Sequence, residues 1–376
     1  MSSHSWPDCT DHSDARLQPL ITTATDAAAL AARLARAERI GLDTEFLRER
    51  TYHAQLCLVQ LSAAGESVCV DPLAVTDLAP LAALLGSAGI VKVMHASRQD
   101  LEVLLPVTGL VRQVFDTQIA ASLTGLAAQV GYAELVRRVL GVELDKSHTR
   151  TDWSRRPLSD AQIEYALDDV RYLLPLAAQL EEQLARLGRR SWLDEELAPL
   201  ADQSALTLEP EEAWLRLKGL RDLDPGRARL ARALAAWRER TALEHNRPRG
   251  WILSDLLLRE VVLRVPRTPA ELAQIPGIAA ALVKRRGAQL LECVRAAAVP
   301  DPAPPLTGRA RPDPAKAALL GKLSATVQDV ARELQLVPEV LATRRELEQL
   351  AAGARDGPLL RGWRRSVLGE RLLRAM

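Results

Sequence analysis

The sequence predicts an α/β domain, with a mixed sheet and helices on both faces, over residues 20–195, followed by an all-helical remainder. Apolar runs at 39–42 and 90–94 have the length and composition of buried strands, and the second run leads into a helical pattern. Strands that alternate with helices are typical of an α/β domain. Beyond residue 209, apolar residues recur at helical spacing between capping boxes, so we expect only helices there.

The first apolar run ends in acidic residues. Asp43 and Glu45 are two positions apart and therefore share one face of the predicted strand, whereas Thr44 points away. Two like charges held this close repel each other unless a cation lies between them. An isolated Asp-x-Glu is more often a solvated pair on an edge strand, so this motif alone does not identify a site.

The second run is predicted to turn into a helix that carries Asp100 in its early turns, near the carboxyl end of the strand. An acid at this position also suits the helix macrodipole, a favourable interaction of roughly 0.3–1 kcal/mol. Both a metal-site role and simple helix electrostatics therefore fit Asp100.

A capping box at 159–162 predicts the start of a third helix, whose apolar stripe continues through Leu174. Tyr165 and Asp169 are four residues apart and so lie on one face of this helix. Such a pair is commonly just a feature of an amphipathic helix. A rival pair in the reverse order is also present, Asp168 and Tyr172.

In their order along the chain, these segments resemble the motifs of bacterial ribonuclease D, a family in the DEDDy class of 3′-to-5′ exonucleases. The resemblance rests on 43–45, 95–100 and 165–169, with further likeness at 51–61, 115–118 and 146–158. The family has a tyrosine four residues before the aspartate, which selects Tyr165 and Asp169 over the rival pair. The resemblance implies an RNase H-like exonuclease domain over 18–197, after a flexible extension at 1–17.

The resemblance also implies a site for two divalent metal ions, Mg²⁺ or Mn²⁺. Hydrolysis of a phosphodiester needs a hydroxide near neutral pH and stabilised charge on two oxygens, which cations about 3.5–4 Å apart supply. Carboxylates suit these hard ions, and cysteine or histidine do not. By resemblance, Asp43 bridges both ions, and Glu45 and Asp169 complete one site. Asp100 supports the other ion through water, and Tyr165 orients the attacking water.

Composition agrees with a soluble protein of several domains. The chain has 376 residues with 48% hydrophobic types, and its four cysteines are scattered without a CxxC pair. These features, the polar amino terminus and the lack of a long apolar run predict a cytoplasmic protein with no membrane contact. The net charge is −8 over residues 1–200 and +9 over residues 201–376. A basic second half can attract the phosphate backbone that an acidic first half repels.

The second half has its own organisation. Residues 209–297 resemble the HRDC domain shared by RecQ-type helicases and ribonuclease D, most specifically in the Asn-Arg-Pro-Arg turn at 246–249. A proline-rich linker at 298–313 follows. A capping box at 343–346 repeats the earlier one at 268–271, so residues 314–376 are expected to form a second HRDC-like domain, or else an unrelated helical tail. Trp363 and the arginines after it are open to two readings, contact with RNA or packing.

Three functions fit these observations. The leading hypothesis is a 3′ exoribonuclease that releases nucleoside 5′-monophosphates and trims tRNA precursors or other stable RNA, acting as a monomer without a small-molecule cofactor. The alternatives are a DNA exonuclease of the RecQ-associated type and a non-catalytic RNA-binding scaffold. The absence of a GxxxxGK[ST] loop argues against a helicase. The residues expected to contact substrate are Phe46, His95, Lys146, Arg155 and Arg156.

Overall fold

The computed structural model describes residues 19–63, 65–144, 151–207, 209–218, 223–298 and 314–376. Lys146, the expected extension at 1–17 and the expected linker at 298–313, except for its first residue, lie outside these ranges. In the part of the chain that the structure covers, no helix is long and apolar enough to span a membrane.

The first domain contains a six-stranded mixed sheet with the order β1-β4-β3-β2-β5-β6. β2, β5 and β6 are parallel, whereas β3 is antiparallel to both β2 and β4. The predicted mixed sheet is confirmed, and its parallel strands β2, β5 and β6 lie together on one side. The strands are β1 (Leu20–Ile21), β2 (Arg39–Leu47), β3 (Gln55–Ala63), β4 (Glu66–Val70), β5 (Val91–Met94) and β6 (Val114–Asp116).

Helices cover both faces of this sheet, as predicted. The first three and the last pack with β2 and β3 in one apolar core, and those between them pack on the opposite face. The helices are α1 (Ala24–Leu34), α2 (Ala79–Gly86), α3 (Arg98–Thr108), α4 (Thr117–Leu123), α5 (Tyr132–Leu140), α6 (Asp160–Arg171), α7 (Leu173–Arg186), α8 (Arg190–Leu197) and α9 (Gln203–Leu206).

The helix predicted to start at the 159–162 capping box is shorter than expected. The capping box is present, but α6 ends at Arg171 and a separate helix, α7, begins at Leu173. The apolar stripe through Leu174 therefore spans two helices. Pro175 explains the break, because its ring would clash with the carbonyl of residue 171 in a continuous helix. In the first turn of α7 its missing N–H is not needed.

α6 approaches the sheet closely at Gly41. Ser62 lies opposite Gly41, and its hydroxyl donates to the backbone oxygen of Val170 at 2.8 Å. A Cβ atom at Gly41 would lie 2.2 Å from the Ser62 Oγ and 3.2 Å from the Val170 oxygen. The glycine therefore permits the packing that brings α6 against β2 and β3.

We expect Gly41→Ala to lower the free energy of unfolding by about 1–3 kcal/mol, because the added methyl group overpacks this contact. Urea denaturation measures the change. Gly250→Ala is the matched control, since no atom lies within 4 Å of its added Cβ. Equal denaturation midpoints for Gly41→Ala and the wild type would show that the contact is loose.

The second half is helical in the ranges described, as predicted. Its first unit has a separate apolar core. It also contacts the first domain: Tyr52 donates its hydroxyl to the fully buried Glu239 at 2.5 Å, and the Asn246 side-chain oxygen accepts from the backbone N–H of Tyr52 and of His53 at 3.1 Å. The helices are α10 (Pro225–Glu244), α11 (Arg249–Ile252), α12 (Asp255–Arg264), α13 (Pro269–Ala273) and α14 (Ala280–Ala297).

The last helices share one apolar core with α4, α5, α7 and α8 of the first domain. Trp363 is 4% exposed and stacks on Trp192 with ring centroids 4.4 Å apart. Of the two readings of Trp363, the structure supports packing. Arg189 donates to the backbone oxygens of Leu123 and Leu334, which joins the two units. The helices are α15 (Pro314–Leu334), α16 (Pro338–Leu341), α17 (Arg344–Ala351), α18 (Gly362–Arg364) and α19 (Glu370–Ala375).

Candidate active site

Asp43 and Glu45 lie near the end of β2, and the pairing of β2 with β3 is irregular directly after Glu45. Asp43 is opposite Gln60 and Glu45 is opposite Leu58, so both acids project from the face that α6 covers. A bulge that ends regular pairing can re-aim side chains beside it. The local structure therefore presents two carboxylates toward α6.

Asp100 reaches the same region from α3, on the other face of the sheet. It is 8% exposed, and its Oδ1 accepts a hydrogen bond from the Thr44 hydroxyl at 2.5 Å. As predicted, the Thr44 side chain points away from Asp43, and the structure shows that it points toward Asp100. The hydroxyl thus fixes one oxygen of a carboxylate that comes from a different element.

The turn between β5 and α3 is held by Asp116, at the end of β6. The Asp116 carboxylate accepts from the backbone N–H groups of Ala96 and Ser97, from the Ser97 hydroxyl and from two N–H groups at the start of α4. Ala96 has a φ of 52°, a conformation that a non-glycine residue adopts only when its surroundings impose it. Asp116 therefore positions the helix that carries Asp100.

α6 contributes Asp169 and Tyr165 to the cluster. The charges of Asp169, Glu45 and Asp43 all raise the pKa of the Tyr165 hydroxyl, after burial as the largest cause. The rival Asp168 carboxylate instead pairs with Arg171. The arrangement favours the Tyr165 and Asp169 pair over the rival pair.

Burial raises the pKa of all four acids, and the charges of the cluster add to this shift at Asp43 and Glu45. Burial, followed by the charges of Asp100, Asp169 and Glu45, raises the pKa of Asp43 well above its usual value. Burial and the charges of Asp169 and Asp100 raise the pKa of Glu45 to about 8. Burial is also the main cause that raises the pKa of Asp100 to about 6 and that of Asp169 to about 7. Carboxylates from three separate segments therefore lie close enough to repel one another.

The donor set suits divalent cations. All four carboxyl groups offer oxygen ligands, which hard cations prefer, and bound cations would relieve the repulsion between them. In the described ranges, no three His, Cys, Asp or Glu side chains are already arranged as a finished metal site. The acid cluster therefore fits divalent cations in its ligand chemistry and its charge.

The expected substrate-contact residues have different surroundings. Both ring nitrogens of His95 are hydrogen-bonded, to the Thr117 hydroxyl and the Val130 oxygen, and burial lowers its pKa. Arg156 donates to the Asp71 carboxylate and to the backbone oxygens of Cys57, Trp153 and Arg155. These contacts occupy the donors of Arg156, so the structure does not support its expected phosphate contact.

The other two described candidates are more accessible. The Arg155 side chain is 85% exposed and makes a loose pair with Asp152 at 3.4 Å. Phe46 is half-buried after Glu45, with the Arg48 guanidinium 5.8 Å from its ring centroid. Both remain predictions as substrate contacts.

Tyr132 is a further residue of the site that the sequence did not indicate. Its hydroxyl donates to the Asp168 backbone oxygen at 3.1 Å, and burial, followed by the charges of Asp169 and Asp43, raises its pKa. Thr44 and Asp116 were likewise not assigned roles. The sequence could have indicated a structural role for Asp116, since an aspartate between a strand and a helix is a typical N-cap.

The fold and the acid cluster define a protein of the 3′-5′ exonuclease class. A family model described as 3′-5′ exonuclease matches residues 19–185, and an HRDC domain model matches residues 227–294. The first match contains every acid of the cluster. The fold class thus implies the use of divalent metal.

Similarity over nearly the whole length identifies the family. Ribonuclease D of Gluconacetobacter diazotrophicus is 42% identical over 94% of this chain and 91% of its own length, and that of Jannaschia sp. is 43% identical over 95% and 94%. The crystal structure of Escherichia coli RNase D, described as an exoribonuclease involved in structured RNA processing, is also similar to this chain. The two structures align with a TM-score of 0.84 and 32% sequence identity, over 95% of this chain and 97% of that one. The chain belongs to the ribonuclease D family.

Proposed function

We propose that this protein is a metal-dependent 3′-to-5′ exoribonuclease that releases nucleoside 5′-monophosphates. The observation that carries the proposal is the convergence of Asp43, Glu45, Asp100 and Asp169 from β2, α3 and α6. It is seen in the pKa values of Asp43 and Glu45, which burial and then the charges of Asp100 and Asp169 raise. Membership of the ribonuclease D family supports the same reaction. A cluster of buried acids has no evident structural use, because it destabilises the fold when no cation is present.

We assign the four acids as the ligands of two divalent ions, Mg²⁺ or Mn²⁺. Such a pair supplies an activated water and stabilises charge on the attacking and leaving oxygens. Thr44 would hold Asp100 in position, because its hydroxyl already bonds that carboxylate. The protein's part in this chemistry is to keep the oxygens oriented and to bring the RNA 3′ end to them.

Tyr165 is proposed to orient the attacking water. Because its pKa is raised by burial and nearby acids, its hydroxyl stays protonated at neutral pH and can donate a hydrogen bond. The centroids of the Tyr165 ring and the buried Trp153 ring are 6.2 Å apart. This contact restricts the position of the Tyr165 side chain. A positioning role fits this protonation state better than a nucleophilic one.

Tyr165→Phe is expected to lower kcat by about 10²-fold, the lower end of the effect of a positioned proton-transfer group. Single-turnover hydrolysis of a 3′-labelled RNA at saturating Mg²⁺ measures this. Tyr172→Phe is the matched control, because it removes the hydroxyl of the rival pair. This variant should keep nearly full activity. Equal losses in both variants would contradict the assignment.

The helical half is proposed to bind the RNA body. In the first helical unit, a cleft of about 580 Å³ is lined by Trp251, Arg247, Arg285 and Arg286, among others. Trp251 is 59% exposed, and the Arg247 guanidinium lies 5.9 Å from its ring centroid. An exposed aromatic ring beside arginines suits base stacking together with phosphate contact. The net charge of +9 over residues 201–376 agrees with this role.

We propose the finer organisation from the sequence. Residues 18–197 form the exonuclease domain, 209–297 form the first HRDC domain, and 314–376 form a second HRDC-like domain. The full capping box at Thr343 and Glu346 supports the last assignment. We also propose that the protein acts as a monomer in the cytoplasm, without a small-molecule cofactor, on the 3′ ends of tRNA precursors.

One assay tests this function and its alternatives. The wild-type protein is incubated with a 3′-extended tRNA, an unstructured RNA and a single-stranded DNA, each in Mg²⁺ or in EDTA. Stepwise shortening of RNA from the 3′ end, with nucleoside 5′-monophosphates as products and no reaction in EDTA, is expected. Faster shortening of DNA would favour the DNA exonuclease, and binding without hydrolysis would favour the scaffold.

A further inference from the structure

Gln60 lies in the middle of the sheet, on β3, and is completely buried. Among the residues that the structure describes, neither its amide nitrogen nor its amide oxygen has a hydrogen-bond partner. Buried side-chain amides are nearly always hydrogen-bonded, and an unsatisfied one destabilises the fold. A glutamine at this position therefore requires an explanation other than packing.

The strand register places Gln60 beside the acid cluster. In the β2–β3 pair it is directly opposite Asp43, and on its other side it is opposite Cys69 of β4. Directly opposite residues on antiparallel strands have Cβ atoms about 4.5–5.5 Å apart and point to the same face. The amide of Gln60 and the carboxylate of Asp43 thus share one face of the sheet.

That face is the one covered by α6. Two residues after Gln60, the Ser62 hydroxyl bonds the Val170 oxygen of α6, and two residues before it, Leu58 packs in the core that contains Leu167 of α6. Gln60 is thus enclosed between the sheet and the helix that carries Asp169. The strand register therefore places the Asp43 carboxylate directly across from an enclosed amide that has no partner among the described residues.

We propose that Gln60 is a positioning residue for Asp43. When cations are held by the cluster, the Gln60 amide N–H donates to the Asp43 carboxylate and fixes its orientation as a ligand. A hydrogen bond of this kind to a metal ligand is a common device, and its loss typically weakens metal binding by about 10–100-fold. The inference rests on the proposed function, because it needs Asp43 to be a metal ligand.

A purely structural role predicts a different combination of metal-free stability and cation affinity. If Gln60 only filled space, methionine would pack as well and would remove an unsatisfied polar group. If Gln60 held the sheet together through its amide, methionine would destabilise the protein. The positioning role predicts that stability without metal is kept, while cation affinity is lost.

The experiment compares wild-type, Gln60→Met and Gln118→Met proteins. Each is freed of metal with EDTA and dialysed, and its melting temperature is followed during titration with Mn²⁺. For Gln60→Met we expect a metal-free melting temperature at or above that of the wild type, and an apparent Mn²⁺ affinity weakened by about 10–100-fold. Its RNA hydrolysis should recover largely at high Mn²⁺, since the ligands themselves are intact.

Gln118→Met is the matched control, because the Gln118 amide already donates to the Val130 oxygen at 3.0 Å. This variant should lose stability and keep wild-type Mn²⁺ affinity. The proposal is overturned if Gln60→Met binds Mn²⁺ as tightly as the wild type, melts clearly lower without metal, or fails to fold. A wild-type protein whose melting temperature does not respond to Mn²⁺ would instead contradict the proposed function.

Discussion

Asp43→Asn is expected to abolish RNA hydrolysis and, at the same time, to stabilise the metal-free protein at pH 8. Activity should fall on the order of 10³-fold or more, beyond the loss typical of removing one transition-state hydrogen-bond donor. The reason is that Asp43 lies at the centre of the cluster, where its pKa is raised by all three other acids. Quantitative release of nucleotides from 3′-labelled RNA in Mg²⁺ measures the loss.

The gain in stability follows from the direction of the pKa shifts. Folding raises the pKa of Asp43 itself well above its usual value, and it raises the pKa of Glu45 to about 8 and that of Asp169 to about 7. Carboxyl groups in the unfolded chain ionise near about pH 4, so the folded state binds more protons, and its stability falls as the pH rises from there through these folded values. The Asp43→Asn substitution removes one of the repelling charges. Melting temperatures of the variant and the wild type in EDTA should therefore differ more at pH 8 than at pH 5.

Asp168→Asn is the matched control for this prediction. Asp168 is next to Asp169 in the sequence, but its carboxylate pairs with Arg171. Because Asp168 is not proposed as a metal ligand, this substitution should cost less in activity than the about 10–100-fold typical of losing a hydrogen-bond partner of a metal ligand. If Asp168→Asn is as inactive as Asp43→Asn, then the choice between the two acid pairs on α6 is wrong. If Asp43→Asn retains normal activity, the nuclease proposal is wrong.

The elements that carry the acids could be predicted because their signals are local. An apolar run that ends in Asp43-Thr44-Glu45 indicates a strand end, and the capping box at 159–162 indicates a helix start within a few residues. The same local reasoning placed Asp100 in the first turns of α3. The apolar stripe alone overextends the helix that starts after Ser159, because apolar residues continue at helical spacing past Arg171, where Pro175 prevents a continuous helix.

Contacts between distant segments could not be predicted in this way. Nothing local to Arg156 shows that Asp71 lies within hydrogen-bonding distance, and nothing local to Thr44 shows that it meets Asp100. The packing of α15–α19 against the first domain could not be predicted for the same reason. Trp363 and Trp192 belong to helices far apart in the chain, and only the folded structure shows their rings stacked. Roles that depend on a partner from another element are therefore the ones that sequence reasoning missed.

Arg156→Leu is expected to destabilise the protein strongly without removing a substrate contact. The Asp71 side chain is 3% exposed, and the Arg156 guanidinium bonds both of its oxygens, at 2.6 and 2.7 Å. Removing one partner leaves a buried charge uncompensated, which costs about 3–5 kcal/mol, and the 26% exposure of the Arg156 side chain favours the lower end. Urea denaturation at pH 7 measures the change.

At acid pH, the difference in free energy of unfolding between the wild type and Arg156→Leu should disappear. Its hydrogen bonds with Arg156 lower the pKa of Asp71 in the folded state, against the opposing effect of burial. The pair therefore contributes its full stability above the unfolded pKa of about 4, and the contribution is lost as the pH falls through the lowered folded pKa. The denaturation midpoints of wild type and Arg156→Leu should converge below about pH 4.

Arg155→Leu completes the comparison, because this neighbouring side chain is 85% exposed and forms only a loose ion pair. Its free energy of unfolding should change by less than about 1 kcal/mol, as for most surface pairs. If Arg155 contacts phosphate, this variant should bind RNA more weakly and with a shallower salt dependence, because one phosphate contact is lost. Equal stability losses at the two positions would contradict the structural role of Arg156, since only Arg156 faces a buried carboxylate.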